Sequence, residues 1–64
     1  MEYSEFYRNN SGKKVKATMN DGEVFTGELF GYISELDNEP DPESVIIGRV
    51  ELFTSEIRSI DVLE

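Results

Sequence analysis

The sequence contains no cysteine and no histidine. Without cysteine there are neither disulfides nor thiolate metal sites, and without histidine the commonest transition-metal ligand and general base are missing. A chain of 64 residues buries only about 60% of its unfolded surface, so such domains often rely on disulfides, metals or oligomerisation. Oligomerisation is the remaining route, and we expect a homo-oligomer without cofactor, metal site or catalytic residues.

Basic residues are also scarce, with six against 14 acidic residues and a net charge of −8. Residues 33–64 hold nine of the acids and only two of the bases. The chain therefore lacks the general attraction to phosphate that supplies most non-specific nucleic-acid affinity. It also lacks a signal-peptide pattern and any apolar run near the ~20 residues of a membrane span. We expect a cytoplasmic protein with no membrane partner.

Residues 1–12 are predicted to form a short helix and its cap, the first part of a single domain covering residues 1–64. Tyr3, Phe6 and Tyr7 have helical spacing and would share one face. A helix this short has no independent stability, so it must dock on the rest of the chain. Its aromatic face either covers an open end of a β-barrel or forms a surface for stacking or for a partner.

Residues 13–33 are predicted to form a β-hairpin. Val15, Ala17 and Met19 alternate with polar residues, and Asp21-Gly22 is a typical turn between such strands. The second strand carries glycines at 27 and 31, where the missing Cβ atoms allow a strong bend.

Alternation in that second strand places Phe25, Leu29 and Ile33 on one face, and Phe30 and Tyr32 on the other. Two large aromatic residues are unusual on a solvated face. Alternation therefore makes this outer face a candidate subunit interface.

Residues 34–44 form an acidic loop with two prolines, five acids and no base. Prolines stiffen a loop and lower the entropy lost on binding, which suits a protein-recognition loop; a solvated hairpin tip is the alternative. Calcium binding is disfavoured, because Pro42 occupies the glycine position of an EF-hand register and alternate acids point to opposite sides. The candidate recognition residues are Asp37, Asn38, Glu39, Asp41 and Glu43.

Residues 45–64 are predicted to be the C-terminal strands. Strand structure runs from Val45 to Thr54 with a bulge or bend at Gly48, and Ile46, Val50 and Leu52 share one parity. A last strand follows over residues 56–63. Its apolar positions change parity between residues 57 and 60, which indicates a bulge or a 3₁₀ turn at the connection.

The ordered pattern resembles the Sm/LSm-like family over about residues 5–63. Apolar residues at 15, 17 and 19, the Asp21-Gly22 turn, Phe25, Gly27 and Leu29 match its first motif, and Ile57 and Ile60 match the end of its second. Other small SH3-like barrels share bent, glycine-bearing strands and stay an alternative. The resemblance implies a mostly β fold, with a short N-terminal helix and a strongly bent five-stranded antiparallel sheet forming an open barrel.

The resemblance also implies rings, here of about five to seven copies, in which the fourth strand of one subunit pairs with the fifth of the next. Such pairing would satisfy the two free edges of an open sheet. On this mapping the joining edges are about residues 45–53 and 57–63. The candidate interface residues are Phe30, Val45, Ile47, Phe53, Ile60 and Val62.

The usual RNA pocket of the family is altered in this chain. Ile33 stands where RNA-binding members have Asp, and Asp37 where they have Asn, with Asn38 one residue later. Thr54-Ser55 replaces their basic residue and glycine. The candidate nucleic-acid contacts that remain are Tyr32, which could stack a base, and the cluster Lys13, Lys14 and Lys16, which could equally be a solvated strand face.

Two functions follow as hypotheses. The first is a non-enzymatic Sm-like oligomer that acts through protein–protein contacts of its acidic loop. The alternative is a ring that binds RNA or another single-stranded nucleic acid.

Overall fold

A computed structural model describes residues 1–63; Glu64, the last residue of the predicted C-terminal segment, lies outside the described residues. The predicted fold class is confirmed: a short helix precedes a bent, five-stranded antiparallel sheet that is not closed into a barrel. The elements are α1 (Tyr3–Asn10), β1 (Lys14–Met19), β2 (Val24–Ile33), β3 (Ser44–Ile47), β4 (Val50–Phe53), a 3₁₀ turn (Thr54–Glu56) and β5 (Ile57–Val62).

The sheet has the strand order β4-β3-β2-β1-β5. The long strand β2 pairs with β1 through residues 24–28 and with β3 through residues 29–33. The sheet therefore changes direction around the middle of β2, between Gly27 and Gly31, where the bend was predicted. β4 and β5 are the outer strands, and each has one neighbour within residues 1–63.

The core lies on the inner face of this bent sheet. Val15, Ala17 and Met19 are buried, which confirms the predicted alternation of β1. The aromatic face of α1 packs against the same core, so the helix covers apolar surface of the sheet. The remaining buried apolar residues are Leu29, Val45, Ile47, Leu52, Ile57 and Ile60.

The predicted turn between β1 and β2 is confirmed. Gly22 N–H donates to the Met19 carbonyl at 3.0 Å, and Met19 N–H donates to the Glu23 carbonyl at 2.8 Å. Gly22 has φ +92°, and the Asp21 carboxylate accepts from Glu23 N–H at 2.9 Å. A three-residue hairpin loop commonly ends on such a left-handed residue, and glycine adopts it without steric cost.

Residues 45–54 do not form one strand bent at Gly48, and the predicted common side of Ile46, Val50 and Leu52 was wrong. β3 and β4 form a hairpin with Ile47 opposite Val50 and Val45 opposite Leu52. Residues directly opposite in antiparallel strands share a face. After this two-residue turn, odd-numbered residues of β3 therefore share a face with even-numbered residues of β4. Residues 45, 47 and 52 therefore point into the core, and Ile46 lies on the other face.

The predicted outer position of Tyr32 was also wrong. The β2–β3 register shifts between Leu29, opposite Ile47, and Gly31, opposite Ile46, which leaves Phe30 as an extra residue in a β-bulge. Tyr32 consequently lies opposite the buried Val45 and packs against the core. A β-bulge reverses alternation beyond it, and nothing in the alternation itself marks its place.

The connection to β5 contains both predicted irregularities. The 3₁₀ turn ends at Glu56, and the β1–β5 register then shifts, because Met19 lies opposite Ile57 and Thr18 opposite Ser59. Arg58 is the extra residue of this second bulge. The shift allows both Ile57 and Ile60 to be buried.

Candidate protein-interaction site

Asn38 lies at the centre of the acidic loop. Its side-chain amide donates to the Pro42 carbonyl at 2.8 Å and to Glu51 Oε2 at 3.1 Å. Its backbone N–H donates to the Ser34 carbonyl at 3.0 Å, and its carbonyl accepts from Asp41 N–H at 2.7 Å. These bonds join the two arms of the loop to each other and to β4, so the loop has a defined conformation.

Glu51 on β4 is a partner that the sequence did not indicate. Its carboxylate accepts from Ser44 Oγ at 2.7 Å, in addition to Asn38, and Ser44 is fully buried. The hydrogen bonds from Ser44 and Asn38 lower the pKa of the Glu51 carboxyl. These residues meet only through the pairing of β3 with β4, so no spacing in the sequence marks them.

Glu43 fastens the other end of the loop to the sheet. The Tyr32 hydroxyl donates to Glu43 Oε2, and Thr54 Oγ1 donates to Glu43 Oε1 at 2.7 Å. Thr54 N–H also donates to the Glu43 carbonyl at 3.0 Å. The hydrogen bond to Glu43, with burial of the ring, raises the pKa of Tyr32 to about 12. Glu43 is therefore a structural residue of the loop.

The other three predicted loop residues, Asp37, Glu39 and Asp41, are exposed. Glu39 and Asp41 line a shallow depression together with Glu35, Leu36 and two prolines. The five predicted recognition residues thus divide into two that hold the loop and three carboxylates that the loop presents to solvent.

The candidate nucleic-acid contacts lie next to other side chains of the same chain: an aromatic ring beside Tyr32 and acidic residues beside two of the lysines. The ring of Tyr32 is stacked on Tyr7 of α1, with centroids 6.4 Å apart. Lys13, Lys14 and Lys16 are exposed, but Lys14 lies opposite Glu28 and Lys16 lies opposite Asp61 in the sheet. Stacking a base on Tyr32 would compete with Tyr7, and neighbouring acids reduce the positive potential of the lysines.

The predicted interface residues fall into two groups. Val45, Ile47 and Ile60 are buried in the core of the single chain, so their side chains are covered without a second subunit. Phe30, at the bulge of β2, is 66% exposed, and Phe53 and Val62 on the outer strands are half-buried. These three side chains are accessible to a second subunit.

A groove of about 300 Å³ lies beside the β1–β2 turn, and the sequence did not indicate it. Met19, Phe25 and Leu52 form its apolar surface. The exposed acids Asp21, Glu23 and Glu56 lie around it, together with Asn20. The acids are far apart in the sequence and meet because Asn20 N–H donates to the Glu56 carbonyl at 2.9 Å.

Residues 1–63 contain no group of three or more acidic side chains arranged to hold a metal ion. Across the same range, no helix is long and apolar enough to cross a membrane. Comparisons with protein-family models, with curated proteins and with solved structures find no match to this chain.

Proposed function

We propose that this chain is a non-enzymatic, Sm-like homo-oligomeric module that acts through protein–protein contacts of its acidic loop. The observation that carries the proposal is the fastening of the loop by Asn38 and Glu43, which leaves Asp37, Glu39 and Asp41 exposed. A loop with a fixed conformation loses less entropy on binding than a mobile one. Fixed carboxylates suit a partner with a basic surface.

The free edges of β4 and β5 support the oligomer. Unpaired strand edges are templates for another chain, and pairing β4 of one copy with β5 of the next would use both. Such a head-to-tail contact closes into a ring when the rotation allows it, and we propose about five to seven copies. A ring would present several acidic loops at once, so weak single contacts would add by avidity.

A quantitative pull-down with matched charge variants tests the loop. Glu39→Gln/Asp41→Asn removes two exposed loop charges, while Glu5→Gln/Glu28→Gln removes two exposed charges elsewhere. We expect the loop variant to lose the partners of the wild-type protein and the control variant to keep them. Identical partner sets for all three proteins would contradict recognition by the loop.

The nucleic-acid alternative has less support, because Tyr32 is stacked on Tyr7 and its hydroxyl is bonded to Glu43. Titration with uridine-rich and adenine-rich oligonucleotides at ~50 mM salt tests it, since phosphate contacts are strongest at low salt. We expect no saturable binding. Binding that is lost on Lys13→Gln/Lys16→Gln but kept by Arg8→Gln would favour the alternative.

A further inference from the structure

The acidic groove adjoins the free edge of β4. Leu52 belongs to that outer strand and also lines the groove beside Glu23 and Glu56. No basic residue is among the side chains that line it. The groove has an apolar surface and acidic surroundings, so a suitable occupant combines an apolar stem with a cationic head. Arginine and lysine are the side chains of this kind.

The other outer strand carries a side chain of this kind. Arg58 is exposed at the bulge of β5 and makes no salt bridge within residues 1–63. Because Arg58 is the extra residue of the bulge, its side chain stands outside the alternation that buries Ile57 and Ile60, and it is accessible to a neighbouring copy.

The faces of the two strands restrict how β4 of one copy can pair with β5 of another. Residues directly opposite share a face, so the inner positions Val50 and Leu52 of β4 must meet inner positions of β5. Antiparallel pairing satisfies this condition only at registers two residues apart.

Charge selects among these registers. Setting Val50 opposite Ile60 brings Arg49 opposite Asp61, which pairs opposite charges. Sliding β5 by two residues would bring Glu51 opposite Asp61, and like charges directly opposite are destabilising. A slide of two residues in the opposite direction, or of two more residues in the same direction, leaves most of β5 without a partner.

In the selected register Arg58 lies opposite Leu52, at the groove. We propose that the groove at Met19, Phe25 and Leu52 receives Arg58 of a neighbouring copy, whose guanidinium pairs with Glu23 and Glu56. This contact rests on the proposed pairing of β4 with β5. It is the side-chain contact that would fix the direction and the register of that pairing.

The chemistry of the groove favours arginine over lysine at this contact. The methylene stem of Arg58 would lie on Leu52, and its planar head could stack on Phe25 while donating to two carboxylates. A lysine has a single, strongly hydrated charge that satisfies fewer of these contacts.

The solution mass of the full chain as a function of concentration, from light scattering after size exclusion, tests the inference. We expect Arg58→Ala and Glu23→Gln/Glu56→Gln each to raise the concentration needed for assembly by about tenfold or more. Their combination should add little, because both remove the same contact. Arg58→Lys should assemble better than Arg58→Ala, and Arg8→Ala, at an exposed arginine of α1, should assemble as wild type.

Charge reversal gives a second readout that a folding defect would not reproduce. Arg58→Glu should prevent assembly, and Arg58→Glu/Glu56→Arg should restore it. If the wild type assembles and Arg58→Ala and Arg58→Glu assemble equally well, the groove contact is wrong while the edge pairing stands. If the wild type stays monomeric at every concentration, the edge pairing and the groove contact are both overturned.

Discussion

Asn38 connects three parts of the molecule through one side chain. Its amide donates to the loop carbonyl of Pro42 and to Glu51 of β4, and lies 3.4 Å from Ser44 Oγ. Removing these donors would break the hydrogen bonds to Pro42 and Glu51, and because both acceptors can reach water the loss is close to the net value of the hydrogen bonds.

Asn38→Ala is therefore expected to lower the free energy of unfolding by about 0.5–1.5 kcal/mol. Urea denaturation followed by circular dichroism measures this change. Asn9→Ala, at an exposed position of α1, is the control and should leave the midpoint unchanged or slightly higher. Equal midpoints for Asn38→Ala and wild type would show that the loop does not depend on this side chain.

The acid side of the stability curve should depend on Glu51. Because the folded-state pKa of its carboxyl is lowered from 4.5, Glu51 adds stability above pH 4.5 that is lost as the pH falls through the folded-state pKa. We expect Glu51→Gln to be less stable than wild type at neutral pH and to show a flatter decline in acid. Thermal unfolding from neutral to acidic pH measures both, and parallel curves would contradict the assignment.

At the scale of single residues the sequence delimited the acidic loop but did not indicate which of its side chains hold the loop in place. Asn38 and Glu43 stood in the predicted list because they belong to the acidic run, whereas their roles depend on Ser44, Glu51 and Thr54. Those contacts form across strand pairs whose register is set by the whole sheet.

Residue spacing and turn chemistry predicted an element correctly where its structure depends on residues close to it in the sequence. The alternation of β1, the helix at Tyr3–Asn10 and the turn at Gly22 follow from spacing and turn chemistry. The bulge at Phe30 and the two-residue turn at Gly48 do not follow from these signals. Each changes which residues of a strand face the core, and the change is visible only from the pairing of one strand with the next.

The β3–β4 turn provides a test of backbone conformation. Gly48 has φ +61°, and it is followed by Arg49, which does not have positive φ. A positive φ at the first central residue only is the pattern of a type II′ turn, which favours glycine there. Gly48→Ala is expected to lower the free energy of unfolding by about 1–2 kcal/mol, since an L-residue is strained at this φ.

A chemically synthesised chain with D-alanine at position 48 is the matched control for that prediction. D-Alanine has the same composition as alanine but prefers positive φ, so it should be at least as stable as glycine. Urea midpoints of the three chains measure the order. If both alanine forms were equally destabilised, added bulk rather than backbone strain would be the cause.

The net charge of the whole molecule should control how its assembly depends on salt. Each copy carries −8, so assembling copies repel one another at long range. Salt screens this repulsion more strongly than it screens close, partly buried ion pairs. We expect the assembled fraction, measured by light scattering, to rise between low and physiological salt, towards about five to seven times the 7.3 kDa chain mass. A steady fall with salt would show that charge attraction outweighs the repulsion.

The pairing of β1 with β5 also has a consequence for how the chain folds during its synthesis. β1, β2, β3 and β4 meet their neighbours within successive hairpins, but the second neighbour of β1 is β5, where Val15 lies opposite Val62. On the ribosome, one edge of β1 therefore stays open after the four preceding strands have emerged. Nascent chains on the same messenger would meet with that edge exposed, and closing so distant a contact is the slow part of folding.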